Sequence, residues 1–215
     1  MAKTSFIDIK LELLNFIRNQ NIISTSARGV TTSTDTGTFT AAATHTLAVH
    51  PTTVKNIRSV VVGVTTLSYG EDYTVNFETG VITFTVAQTG AYTIIYDEGT
   101  ADRIYPDFPQ PYLTMEKFPR IAIDKVSGST REFGIGAATS ESSYIVSIVC
   151  YDKSQYNVEV MIAAIRSALL DNKKTFHYIP FLSVSSSGPT IKTPFGENKI
   201  VQQNQDVIIK FIFEQ

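Results

Sequence analysis

Residues 144–172, YIVSIVCYDKSQYNVEVMIAAIRSALLDN, change their hydrophobic period once, and that change limits what the chain can fold into. Up to Tyr151 the residues alternate as in a strand. After the turn residues Asp152, Lys153 and Ser154, apolar side chains recur at Val158, Met161, Ile162, Ile165 and Leu169, the spacing of one helix face. A strand feeding a helix through a short capped turn predicts a helix packed on a sheet. Val146, Ile148 and Cys150 would lie on one sheet face, with Ile145, Val149 and Tyr151 on the other. The helix carries Ala163, Ala164 and Ala168, small residues that permit close approach of a neighbour. No catalytic group lies in this stretch.

A second helix is predicted over residues 5–20. Ser5 and Asp8 resemble a capping pair, and Asp8, Glu12, Asn15 and Asn19 form a narrow polar stripe. Phe6, Ile7, Ile9, Leu11, Leu13, Leu14, Phe16 and Ile17 surround it, a wider apolar surface than one sheet face covers. Such a helix is either central to its own domain or shared with a neighbouring subunit.

Residues 30–99 differ from both flanks, being rich in threonine, valine and glycine and lacking a helical period. They hold two basic residues, Lys55 and Arg58, against six acidic ones, Asp35, Glu71, Asp72, Glu78, Asp97 and Glu98. The net charge there is −4, against +2 for the remainder, which suggests a separate module. Tyr73, Val75 and Phe77 alternate before Glu78–Thr79–Gly80, where a turn is expected; Ile82, Phe84 and Val86 follow, then a second turn at Gln88–Thr89–Gly90 and a strand with Tyr92, Ile94 and Tyr96. With the extended segments before it, this meander predicts a small antiparallel sandwich or barrel. Its pattern resembles the small β modules inserted in phage tail and capsid proteins.

Residues 100–119 contain Pro106, Pro109, Pro111 and Pro119 and read as an extended connector. A strand follows at 120–126, then a glycine- and serine-rich stretch at 128–143 expected to be a long exposed loop. After the helix, SSSGPTIKTPFGENK is expected to be a second flexible loop, and residues 199–214 a closing strand with Val207, Ile209, Phe211 and Phe213 on one face. The fold class is therefore α+β: a mixed or antiparallel sheet packed by two helices over residues 1–29 and 100–215, with an inserted all-β module, sandwich- or barrel-like, over 30–99.

Function classes are narrowed mainly by what the residues do not offer. One cysteine, Cys150, rules out an internal disulfide and reads as a packed, inert thiol. Apolar runs such as residues 60–64 are far too short to span a membrane, so a soluble protein of the cell interior, or of a particle assembled there, is expected. A net charge of −2 gives no global signal for nucleic acid. His45, His50 and His177 stand at no metal-ligand spacing and read as surface or strand-end residues. Gly134–Ile135–Gly136 lacks the remainder of a phosphate loop. Neither an enzyme nor a cofactor is expected.

The helix SFIDIKLELLNFI, the segment FPRIAID, the pair YIVSIVCYDKSQYNVEVMIAAIRSALL and the closing QDVIIKFIFE stand in an order that resembles the tail terminator, or tail completion, proteins of long-tailed phages, also called tail-to-head joining proteins. The likeness is one of element order over about half the chain, and the 30–99 module departs from the compact family plan. It implies a homo-oligomeric ring, a hexamer, seated on the last ring of tail tube protein. Such a ring would end tube polymerisation, meet the head-completion or connector protein, and let DNA pass non-specifically through its channel. The location implied is the virion, assembled in the host cytoplasm. Arg131 and Phe133 in the first loop, and Lys192, Phe195 and Lys199 in the second, become candidate channel or partner contacts; Phe6, Leu13, Ala164 and Ala168 become candidate subunit packing residues. Other readings are another neck or tail subunit (tube, head-closure or baseplate), or a surface- or carbohydrate-binding protein acting through residues 30–99.

Overall fold

The computed structural model describes residues 6–47, 54–106, 118–132, 139–195 and 198–214. In chain order the elements begin with α1 (Phe6–Asn19), α2 (Thr25–Arg28), β1 (Thr31–Thr46), β2 (Val54–Val62), β3 (Thr65–Leu67), β4 (Tyr73–Asn76) and β5 (Val81–Glu98). They continue with β6 (Ile104–Tyr105), β7 (Arg120–Glu132), β8 (Thr139–Asp152), α3 (Gln155–Asn172), β9 (Phe181–Ser187), β10 (Ile191–Phe195) and β11 (Asn198–Glu214). The chain forms two compact units, Met1–Ile23 with Arg103–Gln215, and Ser24–Asp102. The division falls at 23/24 and 102/103, not at the expected 29/30 and 99/100, because Arg28 pairs with Asp97 and Asp102 inside the second unit.

The discontinuous unit is one six-stranded sheet in the order β10-β11-β8-β7-β6, with β9 also on β11. Its pairs are antiparallel except the parallel β6–β7. Ser154 caps α3 by accepting from the Asn157 amide, and Asp152 Oδ1 accepts from the Ser154 amide at 2.8 Å, so the strand-to-helix turn is fixed by its own side chains. Helix α3 buries Val158, Met161, Ile162, Ile165 and Leu169, as its period requires, and packs on β8, β9 and β11; α1 packs on β6 and β7. Val146, Ile148 and Cys150 lie wholly buried on one face of β8. On the other face Val149 and Tyr151 join Ala122, Ile200 and Phe118 in a smaller cluster. Cys150 is a free thiol whose acidity burial suppresses.

Both expected loops of this unit turn out to be largely strand. Residues 127–132 and 139–145 are the distal arms of the β7–β8 hairpin, and β9 and β10 run along β11 where the second loop was expected. Serine, threonine and glycine read as loop by composition, yet here each backbone finds a cross-strand partner, for example Ser129 opposite Ser143 and Thr130 opposite Ser142. Where β9 gives way to β10, Gly188 donates to the Asn204 carbonyl and lies so close that a Cβ would meet the Asn204 side chain.

The continuous unit holds α2 and one five-stranded antiparallel sheet, β1-β5-β2-β3, with β4 also on β5. The Glu78–Thr79–Gly80 turn forms as expected, with Gly80 at φ 69° joining β4 to β5. Gln88–Thr89–Gly90 does not turn the chain back. Strand β5 runs through it, and the irregularity is a bend, with Gly90 at φ 123°, Ala41 at φ 49° and register shifts in β1 at Phe39/Ala42 and Ala42/Thr44. Glycine at positive φ serves a turn or a bulge equally well; pairing with the long β1 selects the bulge. The bend brings Ile82 and Phe84 from one half of β5, and Ile94 and Tyr96 from the other, into a single core with Phe39, Leu47, Val54, Ile57, Val60 and Tyr73.

This unit is closed by a buried ionic network. Arg28, fully buried, donates to both carboxylate oxygens of Asp102 at 3.0 and 2.8 Å and to Asp97 at 2.9 Å. Asp97 also accepts from Arg58 at 2.6 Å and from Thr32 at 2.9 Å. Burial alone would raise the Asp97 carboxyl, but the bonds from Arg58 and Thr32 and the charges of Arg28 and Arg58 hold it below its ordinary value. Replacing Asp97 by Ala should destabilise this unit by about 3 kcal/mol, since it leaves the network with two guanidiniums, Arg28 and Arg58, and one carboxylate, Asp102. Urea unfolding followed by tyrosine fluorescence measures this, and a change near zero would contradict it.

Candidate functional site

Strand β11 spans the whole sheet of the discontinuous unit and sets where the expected contact residues lie. It pairs with β8 from Val201 opposite Asp152 to Glu214 opposite Thr139, without a register shift. Arg131 lies opposite Glu141, which lies opposite Ile212; Lys192 lies opposite Val201. Eleven residues of β11 therefore separate the levels of Arg131 and Lys192, about 36 Å at ~3.3 Å per residue. Lys192 and Lys199 share the end formed by the β10–β11 hairpin, where Lys199 pairs with Pro194 and Phe195 with Asn198. The five residues thus divide between opposite ends of one sheet and do not converge on one site. Phe133 lies outside the described residues. Arg131 and Lys192 are exposed, and Glu141, across from Arg131, is held by Lys210 at 3.1 Å.

Directly opposite its buried face, α3 presents Tyr156, Val160, Ala163, Ser167 and Leu170 along one line, with the Ser167 hydroxyl donating to Asp171 at 3.2 Å. Tyr156, Val160 and Leu170 are 73, 48 and 44% exposed. Ala164 is exposed beside this line and Ala168 is half-buried, so Ala164 does not lie under the helix against the sheet. Helix α1 behaves differently. Leu13 is wholly covered within its own chain, as are Ile9 and Ile17, which takes Leu13 away from a neighbour; of Phe6 only the backbone, in the first turn of α1, is described. The central-helix reading of α1 is the one its burial matches.

Of the polar stripe of α1, Glu12 and Asn15 are buried and Asn19 is half-buried. The Glu12 carboxylate accepts from the amides of His177 and Tyr178, the latter at 2.9 Å, tying α1 to the segment between α3 and β9; Phe16 and Phe176 meet edge to face beside it. Burial pushes the Glu12 carboxyl up to about 7, against the lowering effect of those two amide bonds. Its folded value thus lies above the ordinary 4.5, so its contribution to stability is full below pH 4.5 and is lost as pH rises through 7.

In the continuous unit His45 stands next to the last residue of β1, the strand-end placement expected, and its ring is engaged. Its Nε2 lies 2.8 Å from Asp35, whose other oxygen accepts from the Tyr92 hydroxyl at 3.4 Å. Phe39 stacks on Tyr92 with ring centres 4.0 Å apart. The bend in β1 brings His45 back over Asp35, ten residues earlier, which alternation alone does not reveal. His50 lies outside the described residues, and His177 is exposed. Among the described residues no three His, Cys, Asp or Glu side chains gather as metal ligands, and no helix is long and apolar enough to cross a membrane.

Neither a protein-family model nor a curated protein matches this chain. The site rests on its own geometry: two hairpin ends, one outward apolar helix face, and a buried carboxylate. Between pH 5 and 8 the discontinuous unit should lose about 3 kcal/mol through Glu12, and Glu12→Gln should flatten that slope. Chemical denaturation at a series of pH values measures it; parallel slopes for both proteins would contradict the assignment.

Proposed function

We propose that the protein is a structural subunit of the phage neck, a tail terminator that forms a homohexameric ring on the end of the tail tube and joins it to the head connector. The observation that carries this reading is the placement of the two hairpin ends on opposite ends of one uninterrupted sheet, with Arg131 and Lys192 about 36 Å apart along the strand direction. A joining subunit needs two separated contact surfaces, one for the tube and one for the head side. The outward face of α3 supplies the third surface that a ring needs, toward neighbouring copies. Lys192 and Lys199 give one end a cationic character suited to DNA passing without sequence recognition. The unit Ser24–Asp102, one bent five-stranded sheet with α2, is the part that departs from the compact family plan. The protein acts by assembly, not catalysis, within the virion.

Light scattering and negative-stain imaging of the purified protein should show closed rings; a strictly monomeric protein, or stacking into continuous tubes, would contradict the terminator reading. Two charges on α3 separate fold from assembly. Ala164→Glu should change stability by less than about 0.5 kcal/mol, because the site is exposed, whereas Ile165→Glu should unfold the unit. Val160→Glu should leave the fold intact and prevent ring closure, and rings formed as readily as by the unaltered protein would remove α3 from the contact.

A further inference from the structure

A strand at the edge of a sheet offers unpaired backbone groups to any other strand, and folded proteins blunt such edges with shortness, charge, proline or bulges. Most edges in this chain carry such a device. β3 and β4 are three and four residues long. The sequence of β7 includes Asp124, Lys125, Arg131 and Glu132. β9 and β10 follow one side of β11 but are broken at Gly188 and Pro189, with Pro194 within β10.

β1 is the exception. Among the described residues it pairs on one side only, with β5, and from Thr31 opposite Glu98 to Phe39 opposite Gly90 the register never shifts. These nine positions, TTSTDTGTF, span about 30 Å at ~3.3 Å per residue. Their single charge, Asp35, is turned inward and engaged by His45 and Tyr92. Thr32, Thr34, Thr36, Thr38 and Thr40 all stand exposed on the opposite face.

We propose that β1 is a self-association edge, pairing antiparallel with β1 of a second copy about a two-fold axis. The occupant follows from self-complementarity. An isologous contact sets a surface against itself, so any exposed charge would meet its like; this edge has none. With Thr36 at the axis, Thr34 stands opposite Thr38 and Asp35 opposite Gly37, both pairs inside the straight segment. Threonine pairs across strands are stabilising, and no carboxylate meets its own copy. The bulges after Phe39 end the straight segment and fix how far the pairing extends. This contact is separate from the α3 face and does not require the ring.

The full-length protein tests it by sedimentation and by cross-linking. Thr36→Lys, an exposed substitution, should halve the mass of the assembled protein, whatever number of subunits the other contacts join. Thr36→Cys should give a covalent dimer under diamide, while Ser26→Cys, exposed on α2, should not; the buried Cys150 leaves the unaltered protein uncrosslinked. The proposal is overturned if Thr36→Lys leaves the mass unchanged, if Thr36→Cys cross-links no better than Ser26→Cys, or if β1 amides gain exchange protection only when a different protein is added.

Discussion

The unshifted pairing of β11 with β8 is the constraint on which the discontinuous unit depends. A slip of β11 by one residue would exchange its two faces, sending Val207 and Ile209 away from the buried side of β8 and bringing Asp206 there. That cost holds the register, and the register fixes everything beyond the helices. The distal arms of the β7–β8 hairpin and the β10–β11 hairpin are poor in apolar residues, yet they extend from a ladder whose alignment is decided in the core. Rigid ends at a set separation follow from burial in the middle.

The continuous unit reaches the same end by different chemistry. Its sheet bends at Ala41 and Gly90, so one core serves both halves of β5, and its entry and exit are held by Arg28 between Asp97 and Asp102. Two guanidinium groups and two carboxylates balance in charge, and Thr32 and Arg58 bring β1 and β2 into the same network. Buried ion pairs of this kind contribute less to net stability than their Coulomb energy suggests. Their effect is to specify which segments meet: here, the two ends of the continuous unit. Both units thus fix their geometry internally and leave uncharged or apolar surface, on β1 and on α3, for other molecules.

Much of this was legible in the sequence where burial imposes a period. Residues 144–172 announce β8 and α3, and the alternation at 199–214 announces β11, because each must hide one face. The arms at 127–132 and 139–143 were not legible, since serine and glycine carry no burial signal and acquire strand structure from partners distant in sequence. The bend at Gly90 read as a turn because positive φ alone does not distinguish the two. Glu12 with His177, and Arg28 with Asp102, are joined across 165 and 74 residues, and no local pattern reports such pairs. The outward face of α3 was partly visible as an excess of apolar residues, but only packing decides which side the sheet takes. For the same reason Leu13 reads as surface to share and proves to be core.

The claim that most of the account rests on is the separation of the two hairpin ends. Spin labels at Arg131→Cys and Lys192→Cys, in protein diluted with unlabelled copies so that only distances within one chain are read, measure it by pulsed electron paramagnetic resonance; both sites are exposed and Cys150 is buried. A single distribution centred at about 39 Å is expected from the length of β11 between their levels and the three strand spacings, ~4.8 Å each, between β10 and β7. A distribution centred below about 25 Å would mean that the two ends converge. The proposed terminator reading would then lack the two separate contact surfaces it requires.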